Sequence, residues 1–442
     1  CFPRALICCT AAGGNVPVTT DTFTPAFSNT TPSCKTQFRK QSTQYNADTI
    51  PHIPKPEYDI NFLCNPSNRD TIFNNIKARK TVGDIDKVLE LSGKPELKKS
   101  FLYELNKIPN QTDPRVLTYG EPQILKQCGH EPEFDFKPQQ FSTLATNLNA
   151  FKSQLLGPLI GTRGYLFLGD LAQLEEALIH FTVKKLMKHG FKLVSVPDII
   201  PTEVIERCGL ITDNGRHLVY NLSPFYEGDY SLSGTAEMSL AYKVMNTLFD
   251  SKDLPLKMAA VSRCFRAEIS NLIHEKNLYR VHQFTKVEMF VCSKHEESEE
   301  QFQELLSIQE DLFSSLNLYL RIIDMPPHDL GSPAYRKIDI EGWMPGRKLY
   351  GELSSCSNCT DYQSRRLGIK YKTKNGETLH VHTLNGTACA IPRMLIALCE
   401  THQTKHNRIK VPEILLPYMT GKTLIKKQPI ANMKLFKYRP QI

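Results

Sequence analysis

The sequence predicts an α+β fold: an antiparallel β-sheet flanked by helices, preceded by a small helical region that lacks a long coiled-coil arm. Asn375-Gly376 separates two alternating runs, which is the strongest short-range signal for a β-hairpin. Charged and aromatic side chains alternate from Arg280 to Glu288, as in a strand with one polar face. Leu171, Leu174 and Phe181 follow the helical period and predict an amphipathic helix that ends near Gly190.

Length and composition favour one large domain with a smaller one beside it. The chain has 442 residues, of which 40% are hydrophobic and 23% charged. No apolar run reaches the roughly 18–20 residues needed to span a bilayer, so we expect no membrane insertion. The net charge of +8 suits a polyanionic partner such as RNA, but many proteins reach this value without one.

The 13 cysteines predict free thiols in a reducing compartment, because their number is odd and they are scattered along a long chain. Cys356 and Cys359 form a C-x-x-C pair. A zinc site needs a second Cys or His pair, and none follows at suitable spacing. We therefore expect no zinc and interpret these two residues as small side chains packed beside a site.

The N-terminal 50 residues are poor in acidic residues and rich in Ser and Thr. Such a composition is typical of a transit peptide, but it also fits a disordered tail. Residues 51–150 predict a small helical region. Its candidate helices are Asp70–Arg79, Val82–Leu91 and Pro95–Lys107. The prolines of 108–114 end the last helix.

Polar residues cluster where the predicted strands and helices end. Thr235 and Glu237 lie at a helix N-terminus, an arrangement that is common for purely structural reasons. Arg266 and Glu268 are two residues apart, which puts them on one face of a predicted strand. The charged face from Arg280 to Glu288 would be costly in an apolar core. It fits a wet cleft that binds charged ligands better than a solvated outer face.

The stretch 351–393 combines a strand, the hairpin and a second strand of small residues that runs into a helix at Arg393. Small residues allow a ligand to lie close to the backbone. A guanidinium at the end of such a strand suits a polyphosphate. The helix that starts near Glu296 carries Phe302 and Leu305 on an inward face, and we interpret it as scaffold.

Four ordered motifs resemble the seryl-tRNA synthetases of the bacterial and mitochondrial kind, within the class II aminoacyl-tRNA synthetases. They are TAE at 235–237, FRAE at 265–268, YRVHQFTKVEMF at 279–290 and the stretch 351–393. The helix before Gly190 and the strand ending at Pro197 resemble the family's first motif, which forms its dimer interface. The resemblance covers about residues 151–425 and implies a class II catalytic domain. The tail 426–442 is basic, a composition that fits contact with RNA phosphates and fits a solvated end equally well.

The resemblance implies that serine and ATP form seryl-adenylate, which then charges tRNA(Ser). It implies catalytic roles for Arg266 and Arg393, and magnesium ligation by Glu352 and Ser355. The implied ATP contacts are Arg266, Glu268, Arg280, Phe284, Glu352, Ser355 and Arg393. The implied serine contacts are Thr235, Glu237, Arg266, Glu288, Asn385 and Thr387.

Two features depart from the family. Its members carry a long helical hairpin that grips the tRNA, whereas 80–108 has room for two short helices only. The loop 272–277 lacks the small, Gly-containing sequence of relatives, which puts the transfer step or tRNA selectivity in question. The first hypothesis is an active homodimeric ligase in the mitochondrial matrix, because every residue type of the implied ligand contacts is present. A noncatalytic paralogue that pairs with an active synthetase, and an enzyme that loads serine onto another acceptor, are the alternatives.

Overall fold

The computed structural model describes residues 53–153, 163–210, 218–223, 228–268 and 277–429. Within these ranges the chain forms eleven α-helices and eighteen β-strands. The helices are α1 (Ile60–Leu63), α2 (Arg69–Ala78), α3 (Ile85–Leu91), α4 (Lys98–Lys107), α5 (Phe141–Asn147), α6 (Asp170–Lys188), α7 (Thr202–Arg207), α8 (Ala236–Lys243), α9 (Ser298–Ser314), α10 (Tyr362–Leu367) and α11 (Ile391–Thr401). The strands are β1 (Gln123–Cys128), β2 (Phe151–Lys152), β3 (Leu166–Phe167), β4 (Lys192–Leu193), β5 (Ile199–Pro201), β6 (Tyr220–Asn221), β7 (Tyr230–Leu232), β8 (Leu248–Asp250), β9 (Leu256–Phe265), β10 (Gln283–Ser293), β11 (Leu320–Asp324), β12 (Arg336–Met344), β13 (Leu349–Asn358), β14 (Lys370–Lys372), β15 (Thr378–His380), β16 (His382–Ala390), β17 (Ile409–Lys410) and β18 (Leu424–Ile425).

Eight of the described strands form a central sheet in the order β1-β11-β12-β13-β16-β10-β9-β4. The pairs are antiparallel except for the short edge strand β4, which runs parallel to β9. The predicted fold of an antiparallel sheet flanked by helices is confirmed. The pairing of β10 with β16 sets Glu288 opposite Thr387, next to a bulge at Val287. The long central strands therefore bring polar residues from distant parts of the sequence together.

Helices α6, α9 and α11 build the main core against this sheet. The predicted inward faces are buried, among them Leu171 and Leu174 of α6 and Phe302 and Leu305 of α9. Gly190 has a φ of +81°, which suits the left-handed end of a helix. Burial of an aliphatic or aromatic side chain of this size contributes about 1.5–3 kcal/mol, so this core fixes the sheet and the residues at its strand ends.

The N-terminal helices α2, α3 and α4 are short, with 10, 7 and 10 residues. No long helical arm occurs in the described range 53–153. These helices share a small core of their own that includes Ile85, Val88 and Leu105. Arg79, which is 2% exposed, joins them to the large domain by donating hydrogen bonds to the carbonyls of Gly331 and Ala334 at 2.5 and 2.8 Å.

Several predicted boundaries are wrong by a few residues. Helix α3 begins at Ile85 rather than Val82, because the Asp84 side chain accepts the Lys87 N–H at 3.1 Å and acts as the N-cap. Strand β4 ends at Leu193 rather than Pro197. At the tip of the hairpin Gly376 has a positive φ of +87° but Asn375 does not, so the Asn-Gly pair does not form the expected turn with two left-handed residues.

The polar strand is also shorter than predicted, because β9 ends at Phe265 and β10 begins at Gln283. Arg266, Glu268 and Arg280 therefore lie just beyond the strand ends rather than within the ladder. A 3₁₀ turn at Asn277–Tyr279 precedes this point and redirects the chain.

Three expectations fall outside the described residues: the segment 1–50, the loop 269–276 and the tail from 430 onward. In the part of the chain that is described, no helix combines the length and the apolar character that crossing a membrane requires.

Candidate active site

Arg266 lies at the open end of β9, where the sheet meets a cavity. Its backbone N–H donates to the carbonyl of His282 at 2.9 Å, and its Nε donates to the carbonyl of Gly234 at 3.3 Å. The guanidinium carbon lies 5.3 Å from the centre of the Phe284 ring. Both residues line the cavity. These contacts hold the guanidinium beside an aromatic ring before any ligand binds. Such an arrangement suits a nucleotide, whose phosphate would contact the guanidinium and whose base would contact the ring.

Arg393 occupies the first turn of α11, immediately after Pro392, whose fixed φ favours the start of a helix. Its Nη1 donates to the Glu352 carboxylate at 2.9 Å, and its guanidinium lies 4.6 Å from the centre of the Tyr279 ring. Tyr279 in turn accepts the Glu352 N–H on its hydroxyl at 3.1 Å. Arg393 is thus held in place by an aromatic ring and a carboxylate at the edge of the same cavity.

The Glu352 carboxylate is ionised at neutral pH. Burial alone would raise its pKa, but the positive charges of Arg393 and Lys337 lower the pKa to about 2. The Glu352 side chain remains 38% exposed, so its carboxylate oxygens are accessible from the cavity. Ser355 lines the same cavity from the same strand, β13. Within the described residues no cluster of three or more His, Cys, Asp and Glu side chains could hold a metal ion alone.

Glu268 and Arg280 face each other across the ends of β9 and β10. The Arg280 Nη1 and the Glu268 Oε2 are 3.7 Å apart, and the Glu268 side chain is 7% exposed. Both line the cavity together with Arg266. The structure thus brings together around one cavity all seven residues for which the resemblance implies ATP contacts. Four of them lie outside the strands: Arg266, Glu268, Arg280 and Arg393.

Glu237 lies in the first turn of α8, where Thr235 is the N-cap and accepts the Glu237 N–H at 3.4 Å. The carboxylate accepts a hydrogen bond from Gln363 Nε2 at 2.6 Å. Burial and, second, the nearby charge of Glu288 raise the pKa of Glu237 to about 7. A buried carboxylate with such a pKa is poised to gain a cationic partner.

Glu288 is the most enclosed carboxylate of the site, at 1% exposure. Its Oε2 contacts the Lys286 ammonium at 2.5 Å and accepts from the Thr387 hydroxyl at 3.2 Å. Its Oε1 is buried and has no hydrogen-bond partner among the described residues. Buried acceptors are nearly always satisfied in native proteins, so this free oxygen is an expected contact for a ligand.

Asn385 lies two residues before Thr387 on β16, and its side-chain oxygen accepts a weak hydrogen bond from the Cys359 thiol at 3.7 Å. Burial raises the pKa of Cys356 and Cys359 well above the usual range of a thiol. Both thiols are therefore protonated and packed in the core rather than reactive.

Sequence reasoning missed four residues that complete the site: Tyr279, Gln363, Lys337 and Lys286. Lys286 was part of the alternating pattern but was given no role. Lys337 pairs with Asp339 at 2.8 Å, and its positive charge helps to lower the pKa of Glu352. Burial raises the pKa of Asp339 to about 7. Their alternation along β12 is the signal that could have revealed this pair. Gln363 left no such signal, because its contact with Glu237 joins residues 126 positions apart.

Residues 220–402 match the family described as tRNA synthetase class II core domain (G, H, P, S and T). The chain is similar to a mitochondrial serine–tRNA ligase of Bos taurus, at 42% identity over 328 residues, which cover 73% of this chain and 63% of that protein. It is also similar to a serine–tRNA ligase of Treponema denticola, at 38% identity over 361 residues, which cover 80% of this chain and 83% of that protein. The chain thus spans about 63% of the length of the mammalian mitochondrial relatives it matches.

The fold is similar to that of seryl-tRNA synthetase from Pyrococcus horikoshii, solved in complex with ATP. The TM-score is 0.70 and the identity 31%, and the match covers 84% of this chain and 90% of that chain. Fold, motif order and sequence identity over most of a full-length bacterial relative agree. The chain therefore belongs to the seryl-tRNA synthetase family of class II aminoacyl-tRNA synthetases.

Proposed function

We propose that this chain is a serine–tRNA ligase that activates serine with ATP and transfers it to tRNA(Ser) in the mitochondrial matrix. The observation that carries the proposal is one cavity lined by two fixed guanidiniums, Arg266 and Arg393, together with Lys286 and Thr387. Both Lys286 and Thr387 contact the buried carboxylate of Glu288. The arginines suit a polyphosphate, and the polar groups around Glu288 suit a small polar amino acid.

Adenylation brings the carboxylate of serine up to the α-phosphate of ATP, so it requires cations placed before the reaction. Arg266 would neutralise the α-phosphate during the in-line displacement, in which the serine–phosphate bond forms as the bond to pyrophosphate breaks. Phe284 would stack with the adenine beside Arg266. Arg393 would hold the γ-phosphate, with Arg280 and Glu268 flanking the nucleotide.

The site also fits magnesium, since Glu352 and Ser355 supply a carboxylate and a hydroxyl oxygen, the hard donors that this ion prefers. Bound magnesium supplies charge neutralisation of the phosphates. The low pKa of Glu352 keeps its carboxylate ionised and ready for this role at every physiological pH.

Thr235, Glu237, Glu288, Asn385 and Thr387 would bind serine. The free Oε1 of Glu288 can accept a hydrogen bond from the serine hydroxyl. A site built to bind a hydroxyl rejects alanine strongly, because its own polar groups would be left unpaired.

A homodimer is part of the proposal. Apolar side chains are exposed around the region that resembles the family's first motif, with Leu193 at 51% and Ile199 at 53% exposure. A second copy could bury them. Sedimentation equilibrium of the purified chain should give twice the chain mass, whereas a monomer would favour pairing with a different synthetase. The mitochondrial compartment rests on the similarity to mitochondrial relatives and is tested by imaging the full-length protein in cells.

The short helices α2–α4 favour one alternative, a noncatalytic paralogue, because the tRNA-gripping arm of the family is not seen in the described residues. Serine-dependent exchange of pyrophosphate into ATP separates the two. We expect exchange by the wild-type chain and a loss of at least about a hundredfold in Arg266→Ala, as for removal of one preorganised charge at a reacting centre. Absence of exchange from the folded wild-type chain would refute the ligase. Charging of tRNA(Ser) then distinguishes it from an enzyme that loads serine onto another acceptor.

A further inference from the structure

The proposed serine contacts are called the serine pocket here: Thr235, Glu237, Glu288, Asn385 and Thr387. Its two buried carboxylates, Glu237 and Glu288, have different electrostatic partners. Glu237 accepts a hydrogen bond from the neutral amide of Gln363 at 2.6 Å. Glu288 is paired with the ammonium of Lys286 at 2.5 Å. The carboxylates are close enough to interact, since the charge of Glu288 contributes to the raised pKa of Glu237. Lys286 thus contacts Glu288 directly, whereas its charge and that of Arg266 act on Glu237 only over a longer distance.

The Lys286–Glu288 pair is almost fully enclosed, with side-chain exposures of 7% and 1%. Lys286 Nζ also lies 3.5 Å from the Thr387 hydroxyl, which itself donates to Glu288 Oε2. Oε2 therefore has two partners, whereas Oε1 has none among the described residues. The pair presents one unused acceptor and almost no net charge to a ligand.

A carboxylate whose charge is neutralised by a cation binds different ligand groups from a carboxylate that keeps its charge. A hydroxyl can donate to Oε1 without disturbing the Lys286 contact. An ammonium at the same place would face the Lys286 ammonium at short range, where repulsion is strong because water is excluded. Glu237 has no such cation in direct contact, so an ammonium gains most there.

We infer that Lys286 is a specificity-determining residue of the serine pocket: by neutralising Glu288 it makes that carboxylate a receptor for the substrate hydroxyl and leaves the α-ammonium to Glu237. The inference rests on the proposed function. It adds a reason why a pocket with two carboxylates prefers a neutral side chain over a cationic one of the same size.

The test compares serine with 2,3-diaminopropionate, which carries an ammonium in place of the serine hydroxyl. Pyrophosphate exchange is measured at pH 7 with wild type and with Lys286→Met, which keeps the length of the side chain and removes its charge. In the variant the uncompensated Glu288 should prefer the ammonium. The ratio of kcat/KM for diaminopropionate to that for serine should rise by at least about tenfold, since an unpaired buried charge is strongly unfavourable.

Lys257→Met is the matched control. Lys257 lies on the neighbouring strand β9 and forms an ion pair with Glu304 at 2.6 Å, outside the cavity. It should leave the ratio of the two substrates unchanged. An unchanged ratio in folded Lys286→Met would overturn the inference while serine exchange by wild type still supports the ligase. Wild type without serine exchange would instead remove the proposed function itself.

If Lys286→Met does not fold, the double variant Lys286→Met/Glu288→Gln restores a neutral pair. It should activate serine better than Glu288→Gln alone, in which Lys286 is left without its carboxylate. Equal or lower activity of the double variant would contradict the inference.

Discussion

Replacement of Glu237 by Gln should stabilise the ligand-free protein at alkaline pH while abolishing serine activation. The change keeps the shape of the side chain and the acceptor for Gln363 Nε2, which lies 2.6 Å from the carboxylate. It removes a charge that burial and Glu288 disfavour, as the raised pKa of about 7 indicates. A residue kept for binding then carries a cost in stability when its ligand is absent.

The magnitude follows from the difference between the folded pKa of about 7 and the ordinary value of 4.5. Because the folded pKa is raised, the protonated carboxyl favours the folded state fully below 4.5, and this contribution is lost as the pH rises through 7. Above pH 7 the ionised carboxylate costs up to about 3 kcal/mol relative to a neutral amide. The gain in Glu237→Gln should therefore be largest near pH 8 and vanish toward pH 4.5.

The assay is urea unfolding of wild type and Glu237→Gln at several pH values between 5 and 8.5, without substrates. We expect the free energy of unfolding of the variant to exceed that of wild type by about 2–3 kcal/mol at pH 8, with the difference shrinking steadily toward pH 5. Glu133→Gln, at an exposed position, serves as a control with a small effect. A difference that does not depend on pH, or a variant that is less stable at pH 8, would refute the reasoning.

Two further predictions concern Arg393 and Arg79. Arg393→Gln should lower kcat/KM for ATP in the exchange assay by at least about a hundredfold, and should raise the pKa of Glu352, which Arg393 now holds low; an unaltered dependence on ATP would exclude the phosphate role. Arg79→Met should lower the free energy of unfolding by about 2–4 kcal/mol, because it removes the donor to the buried carbonyl of Ala334 and to the partly buried carbonyl of Gly331. Exposed Lys99→Met is its control, and equal stability of the two variants would contradict the anchoring role.

Local patterns predicted the scaffold because they depend on neighbouring residues. The period of Leu171, Leu174 and Phe181 predicted α6, and all three side chains are buried. The small-residue strand before Arg393 predicted β16 and the start of α11. In each case the pattern of apolar or small residues belongs to a single helix or strand, so it can be recognised from the local sequence alone.

The limits of the polar strand could not be predicted in the same way. The alternation from Arg280 to Glu288 reflects a shared cleft rather than one continuous ladder. Arg280 reaches the cavity from a turn, and its backbone carbonyl accepts from Arg163 rather than from a neighbouring strand. Residues that serve one ligand can keep a period of two without belonging to one strand.

The different electrostatic environments of Glu237 and Glu288 were the hardest feature to predict from the sequence. Glu237 and Glu288 were both predicted to bind serine, yet their difference depends on Gln363 and Lys286. Gln363 comes from α10, far away in the sequence, and its orientation is fixed by a hydrogen bond from the Thr383 hydroxyl at 2.7 Å. Such partners are set by tertiary packing and become visible only once the elements are assembled.

Single-turnover formation of seryl-adenylate tests the central claim most directly. The purified chain is mixed with serine and labelled ATP in the presence of pyrophosphatase, without tRNA, and the enzyme-bound adenylate is counted. We expect an amount that approaches one adenylate per active site with wild type and essentially none with Arg266→Ala. Folded wild-type protein that binds ATP but forms no adenylate would contradict it.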